Sequence, residues 1–407
     1  MKKNIFYLFI VQGGQYLLPL IAFPYLVITL GPYNFGLLSL SIAIIQYIVL
    51  ITDYGFNLTG TQQISINRNK QKNINLIFSS IIISKLILFF ISISLLYITV
   101  SSFKELSEIK YVVLCLIPFI IGNIIFPTWL FQGLEDMKWI SLCSILAKLL
   151  TLPLIFLLVK TKNDILIAAL LHGLPNIISG LLAIFIIRSK KIITSLVIST
   201  PNVCYQLKSS WHIFLSNSAI SLYSNSLIVM LGYFSSPIYV GYFNTANTVK
   251  SAAQGLLNPI AQAIYPRISI LMQQDRIKAI ALIKKCFTFF VSITFLGSSF
   301  LYFLSDDIIT IFFGKEYHSS IPILQTLSFI PFVVSISNIL GIQTMLTQGY
   351  KKQFTKIILL GGIFGFLISI PLISQYQAIG TSISILLSEI FISVAMIIYV
   401  TKFNLMK

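Results

Sequence analysis

The chain has 407 residues, of which 57% are hydrophobic and only 10% charged, at a mean hydropathy of +0.92. Soluble domains carry roughly 25% charged residues, which argues against a water-soluble enzyme. The 28 Lys and Arg against 11 Asp and Glu leave a net charge of +17, but these charges are scattered between apolar runs and form no compact basic face of the kind nucleic acid needs.

A membrane helix needs roughly 20 apolar residues. Twelve such runs are predicted, at about 5–30, 37–57, 76–100, 111–131, 139–159, 165–187, 209–233, 241–265, 280–304, 319–346, 355–374 and 378–400. The remaining residues average about 13 per connection, too few for a folded extramembrane domain. The membrane part must therefore carry the function. Met1-Lys2-Lys3 has the basic start of a signal peptide, but the apolar run continues to Leu30 without a small-residue cleavage site. It reads as a retained first helix. Cys115, Cys143, Cys204 and Cys286 lie far apart and form no CxxC pair, so neither a disulfide framework nor a zinc site is expected.

Positive charge orients the chain. With the N-terminus inside, Lys and Arg gather in the inner segments, at Lys2 and Lys3, at 68–72, at 188–191, at 267–278 and at Lys351 and Lys352. The outer connections keep only Lys104, Lys110, Lys160, Lys162 and Lys315. Both termini are thus expected in the cytoplasm.

The sequence also repeats itself. Leu30-Gly31-Pro32-Tyr33-Asn34-Phe35-Gly36 follows the first predicted helix, and Leu231-Gly232 through Val240-Gly241 follows the seventh. Pro118-Phe119, Asn123 and Gln132-Gly133 mark the fourth, as Pro331-Phe332, Asn338 and Gln348-Gly349 mark the tenth. Six helices per half give both halves the same orientation, a parallel repeat. The expected organisation is an all-α integral membrane protein of two six-helix lobes. Residues 1–191 would form the N-terminal lobe, 192–208 a linker that could be a surface helix, and 209–407 the C-terminal lobe.

Polar stripes show which helices need water or partners. The eighth carries Asn244, Asn247, Lys250, Ser251, Gln254, Asn258 and Gln262, which at 100° per residue share an arc of about 120°. Weaker stripes are Asn217, Ser221 and Asn225 on the seventh helix, and Gln12, Gln15 and Tyr16 on the first. The second helix holds Gln46 and Asp53. A mid-membrane lysine costs ~2.5–3.5 kcal/mol, and Lys250, on a polar face, is the leading candidate for an anionic ligand. Lys85 and Lys148 lie among Ile, Leu and Phe, so pairing with a carboxylate or snorkelling competes with ligand contact. Glu389 is a candidate coupling-ion site or a buried partner for a lysine. Asp53 is a second ion-coupling candidate, or an interfacial capping acid. His172 reads as a hydrogen-bonded core residue more readily than as a proton carrier. Gly361 and Gly365 form a GxxxG that supports close helix packing.

No HExxH, Walker A, GxSxG or GxGxxG stands in a usable context, so no metal, nucleotide or other cofactor is expected. Asp306-Asp307 and Glu135-Asp136 read as solvated acid pairs.

Several segments taken in order resemble the polysaccharide repeat-unit flippases, the Wzx-like O-antigen and capsule type of the MOP exporter superfamily. They are Gly36-Leu37-Leu38-Ser39, Asp53-Tyr54-Gly55-Phe56-Asn57, Pro127-Thr128-Trp129-Leu130-Phe131-Gln132-Gly133-Leu134-Glu135, Tyr265-Pro266-Arg267-Ile268-Ser269 and Gly314-Lys315-Glu316-Tyr317. The likeness spans nearly the whole chain. It implies two six-helix lobes around a central cavity lined by the first two helices of each. It also implies transport of undecaprenyl-pyrophosphate-linked oligosaccharide from the cytoplasmic to the periplasmic leaflet of the inner membrane. Family members often place several cations in the cavity, and this chain has few mid-span lysines and no mid-span Arg. Expected partners are the lipid-linked substrate, the bilayer, a polysaccharide polymerase and a chain-length regulator, with no nucleic acid. The rival readings are a multidrug-type exporter of the same superfamily, which should favour acidic cavity residues, and a membrane polymerase or acyltransferase, which should show a longer outer loop.

Overall fold

A backbone that crosses hydrocarbon must pair its own N–H and C=O groups, and a helix does so within one segment. The computed structural model, which describes residues 2–102, 108–255 and 258–406, is accordingly helical, with no strand among the described residues. The two longest helices, Lys2–Asp53 and Lys351–Lys402, are each interrupted, at Gly31 (φ 71°, ψ 168°) and at Gln377 (φ 51°, ψ −124°). Divided there, the longer described helices group into twelve segments: 2–30, 32–66, 71–102, 110–133, 138–158, 165–189, 200–234, 237–255 with 258–274, 276–303, 320–346, 351–376 and 378–402, with a short helix Ser305–Phe313 between the ninth and tenth. Each of the twelve overlaps one predicted span. Eight described stretches are long and apolar enough to cross a membrane, and two of them contain the breaks at Gly31 and Gln377.

The second segment departs from the expected continuous span 37–57. The helix stops at Asp53, Tyr54 (φ 46°) and Gly55 (φ 82°) turn left-handed, and a new helix runs Phe56–Ile66. Glycine tolerates that φ without strain; a Cβ at Gly55 would also meet Ile213 at 2.7 Å.

The repeat has a backbone signature. The fourth segment ends with Glu135 at φ 60° and a bond from Asp136 N to Phe131 O, and the tenth with Gly349 at φ 87° and Tyr350 N to Met345 O. The sixth ends with Lys191 at φ 51° and Ile192 N to Ile187 O, the twelfth with Asn404 at φ 51° and Leu405 N to Val400 O. These are paired left-handed caps closing equivalent helices. Pro118 and Pro331 also open equivalent inner helices, Ile117–Ile125 and Ile330–Asn338, where a missing N–H costs nothing.

The segment Gln71–Ser102 shows how the chain sits in lipid. Ser80, Ser84, Lys85 and Ser92 are buried, whereas Leu86, Ile87, Phe90, Ile91 and Leu95 are exposed. Polar groups face protein and apolar ones face outward, the reverse of a soluble helix. Small residues let helices approach: a Cβ at Gly122 would collide with the backbone of Asn176, and one at Gly361 with Ile392. The GxxxG of the eleventh segment is thus a packing face, and Ser388 donates to the Gly361 carbonyl at 2.7 Å. The P-T-W-L-F run is core as well, with Trp129, Leu130 and Phe131 fully buried and packed with Phe56, Ile64 and Ile81.

The chain divides into two compact units, Met1–Val229 and Met230–Lys407. The division falls inside the helix Thr200–Phe234 and not in 192–208, because the first half of that helix is bonded into the first unit. Gln206 and Gln63 exchange side-chain bonds at 2.7 and 3.1 Å. Ser210 lies 2.7 Å from Thr59, and Phe214 stacks on Tyr54. Of the expected linker 192–208, residues 200–208 belong to that helix, and the stretch 192–199 is not helical. It is an extended strap held to the third segment: Gln71 donates to the Ile192 carbonyl at 2.7 Å, Asn75 binds Thr194 and Ser195, and Val197 N donates to Ser79.

Candidate functional site

Membrane-embedded charges are the costliest groups in the chain, so where the fold places them is the most informative feature of the site. In the first unit Lys85 Nζ lies 2.6 Å from Asp53 Oδ1, with the Lys85 side chain 1% exposed and that of Asp53 26%. Asp53 is the last helical residue before the Tyr54–Gly55 turn. The lysine therefore fastens a helix end, and Asp53, a candidate coupling acid from sequence, is held as its counterion. Lys148 is half-buried on the helix Lys138–Leu158, with no carboxylate at ion-pair distance among the described residues. The His172 ring stacks on Phe119, with the centroids 5.4 Å apart.

The seventh segment brings Asn217, Ser221 and Asn225 to half-buried positions in the first unit, and the Asn225 amide donates to Ser221 Oγ at 3.0 Å. Part of that stripe is thus satisfied within its own helix. Gln12, Gln15 and Asn258 were expected beside it, but their side chains lie outside the described residues.

In the second unit the helix Pro237–Gly255 packs on 320–327 and on the helix Lys351–Lys402. Asn247, Lys250 and Gln254 are half-buried, and Ser251 is exposed. Glu389, half-buried on the twelfth segment, is the carboxylate whose charge acts on Lys250. Lys250 shares its helix face with the amides of Asn247 and Gln254, while Glu389 acts on it from another helix. Asp53 and Lys85 form an ion pair in the first unit, and Glu389 carries the charge that acts on Lys250 in the second. The first is a direct contact, while the second is a charge interaction without a direct bond among the described contacts. An anionic ligand can compete for the looser lysine far more readily than for the tighter one.

Sequence reasoning offered Lys85 a carboxylate and Glu389 a lysine as partners, without naming which. Asp53 and Lys85 lie on neighbouring segments, yet only the register of those helices decides whether a lysine meets a carboxylate or lipid. The Tyr54-Gly55 dipeptide was the available signal for the turn.

The overall fold matches solved transporters across nearly their full length. An inward-facing multidrug resistance MATE family transporter of the MOP superfamily superposes with a TM-score of 0.77 at 13% identity, covering 99% of this chain and 98% of that one. The lipid II flippase MurJ, in an inward closed conformation, gives 0.73 at 16% identity, covering 98% and 88%. Curated relatives are nearer in sequence. A protein of Escherichia coli (strain K12) named “Putative O-antigen transporter” is 40% identical over 409 residues, spanning 100% of this chain and 98% of its own. A protein of the same name from Shigella dysenteriae is 36% identical over 400 residues, spanning 98% and 99%. Residues 1–272 match the family described as Polysaccharide biosynthesis protein, and with a full-length relative at 40% identity the chain belongs to that family of multi-pass membrane proteins.

Proposed function

We propose that the chain is a flippase that moves polyprenyl-pyrophosphate-linked oligosaccharide from the cytoplasmic to the outer leaflet of a bacterial inner membrane by alternating access. The observation that carries this reading is the half-buried Lys250 on an amide-lined helix face, with Glu389 as a partner that does not close on it. A phosphate-bearing sugar headgroup needs a wet, cationic path, while its lipid tail can remain in the bilayer. The relatives named as O-antigen transporters and the fold shared with a lipid II flippase both support it. Binding would fall to Lys250, Asn247, Ser251, Gln254 and Asn258 in the second unit, and to Asn217, Ser221, Asn225, Gln12 and Gln15 in the first. Glu389 would be the coupling acid, and the N- and C-termini would be cytoplasmic. No step in this scheme makes or breaks a covalent bond.

The test is a strain from which this gene is deleted and which holds no second flippase. Surface polymer is expected to disappear, with lipid-linked repeat units accumulating on the inner leaflet. Normal polymer without a trapped intermediate would overturn the reading.

A further inference from the structure

Between the second and third segments and beside the end of the fourth lies a cavity of about 480 Å³ lined by Ser65, Ile66, Arg68, Asn69, Lys70 and Glu135. The membrane-spanning stretches around it end at Ile66 and Gly133 and begin again at Gln71 and Lys138. The cavity thus lies at the ends of four apolar spans, within reach of lipid phosphates.

Its chemistry suits an anion. Arg68 is fixed from behind: one Nη donates to the Gly133 carbonyl at 3.1 Å and also meets Glu135 at 2.9 Å, and its Nε is buried. Lys70 is exposed beside it and has no ion pair among the described residues. The helix Gln71–Ser102 starts at the next residue, so its first N–H groups add positive potential. Glu135 is the one acid in the lining, and its side chain is 67% exposed. It is held at the rim by a left-handed backbone, φ 60°. Arg68 bonds to that carboxylate and keeps it below the usual carboxylate range. A carboxylate held on the solvent side of a fixed guanidinium is a replaceable anion.

We propose that this cavity is a phosphate-binding site, in which a phosphate group displaces Glu135 from Arg68 and is gripped by Arg68 and Lys70. The phosphate could be carried by a lipid headgroup or be free in solution. The site is separate from Lys250, and if the lipid is the transported one, its role as a first docking point rests on the flippase reading.

Purified protein in detergent is titrated with farnesyl pyrophosphate and with inorganic pyrophosphate, and its binding to phosphatidylglycerol nanodiscs is measured alongside. Lys70→Ala and Glu135→Gln alter exposed side chains and leave the helices intact. Lys70→Ala is expected to weaken phosphate binding by about tenfold, and Glu135→Gln to strengthen it severalfold. Preference for farnesyl pyrophosphate or phosphatidylglycerol assigns the site to a lipid headgroup, and equal binding of inorganic pyrophosphate assigns it to a free phosphate. Absence of binding by all three probes, or binding indifferent to both variants, overturns the proposal. Because the readout is binding, this outcome is independent of whether the protein transports anything.

Discussion

Replacing Lys85 with methionine lowers the stability of the protein by about 3 kcal/mol, the lower part of the range for breaking a buried ion pair from one side. The lower part applies because the Asp53 side chain keeps 26% exposure, so water can still reach part of the orphaned carboxylate. Methionine fills nearly the same volume as the lysine stem, so the loss reports the charge and not a cavity. Thermal unfolding in detergent measures it. The double variant Lys85→Met with Asp53→Asn recovers most of the loss, since no unpaired charge remains. An unchanged melting temperature in Lys85→Met would show that the pair does not hold the end of the second helix. Asp53→Asn alone separates the two readings of that acid. A structural counterion predicts lost stability, whereas a coupling site predicts lost transport in a protein that melts normally.

Lys250→Ala is expected to cut transport by about tenfold or more, the scale of losing a hydrogen bond to a charged group in a poorly solvated site. Lys250→Arg should retain more activity than the alanine variant, because the charge stays on the same helix face. Glu389→Gln should move the other way in binding: with its competitor gone, Lys250 holds an anionic headgroup more tightly and releases it more slowly. Surface polymer in complemented deletion cells, normalised to membrane expression, reads all three. Full polymer with Lys250→Ala would remove Lys250 from the substrate path and leave the family assignment untouched. Lys148→Ala is the control, since that lysine has no polar stripe around it.

Much of this architecture is written in the order of residues. Twelve apolar runs became twelve helical segments because a membrane leaves the backbone no other economical way to pair its polar groups. The duplicated Pro-Phe and Gln-Gly marks announced equivalent helices, and the matching left-handed caps at Glu135 and Gly349 carry that equivalence into the backbone. What the order of residues hides is register. Whether Lys85 snorkels, binds a ligand or meets Asp53 depends on how two helices are rotated against each other, which apolar neighbours on every side do not disclose. The extended strap at 192–199 was equally hidden, because its anchors Gln71, Asn75 and Ser79 are ordinary polar residues more than a hundred positions away. The distinctive Trp129-Leu130-Phe131 run resembles a functional motif, yet it is buried among Phe56, Ile64 and Ile81.

The proposed function is translocation of a lipid-linked sugar headgroup. The most direct measurement uses the purified protein in liposomes whose polyprenyl-pyrophosphate-linked oligosaccharide is labelled on the sugar. A membrane-impermeant reagent added outside reports how much label reaches the outer leaflet with time. Wild-type protein is expected to expose label that protein-free liposomes keep inside, and Lys250→Ala to slow that exposure. Folded wild-type protein that exposes no more label than empty liposomes would contradict the claim.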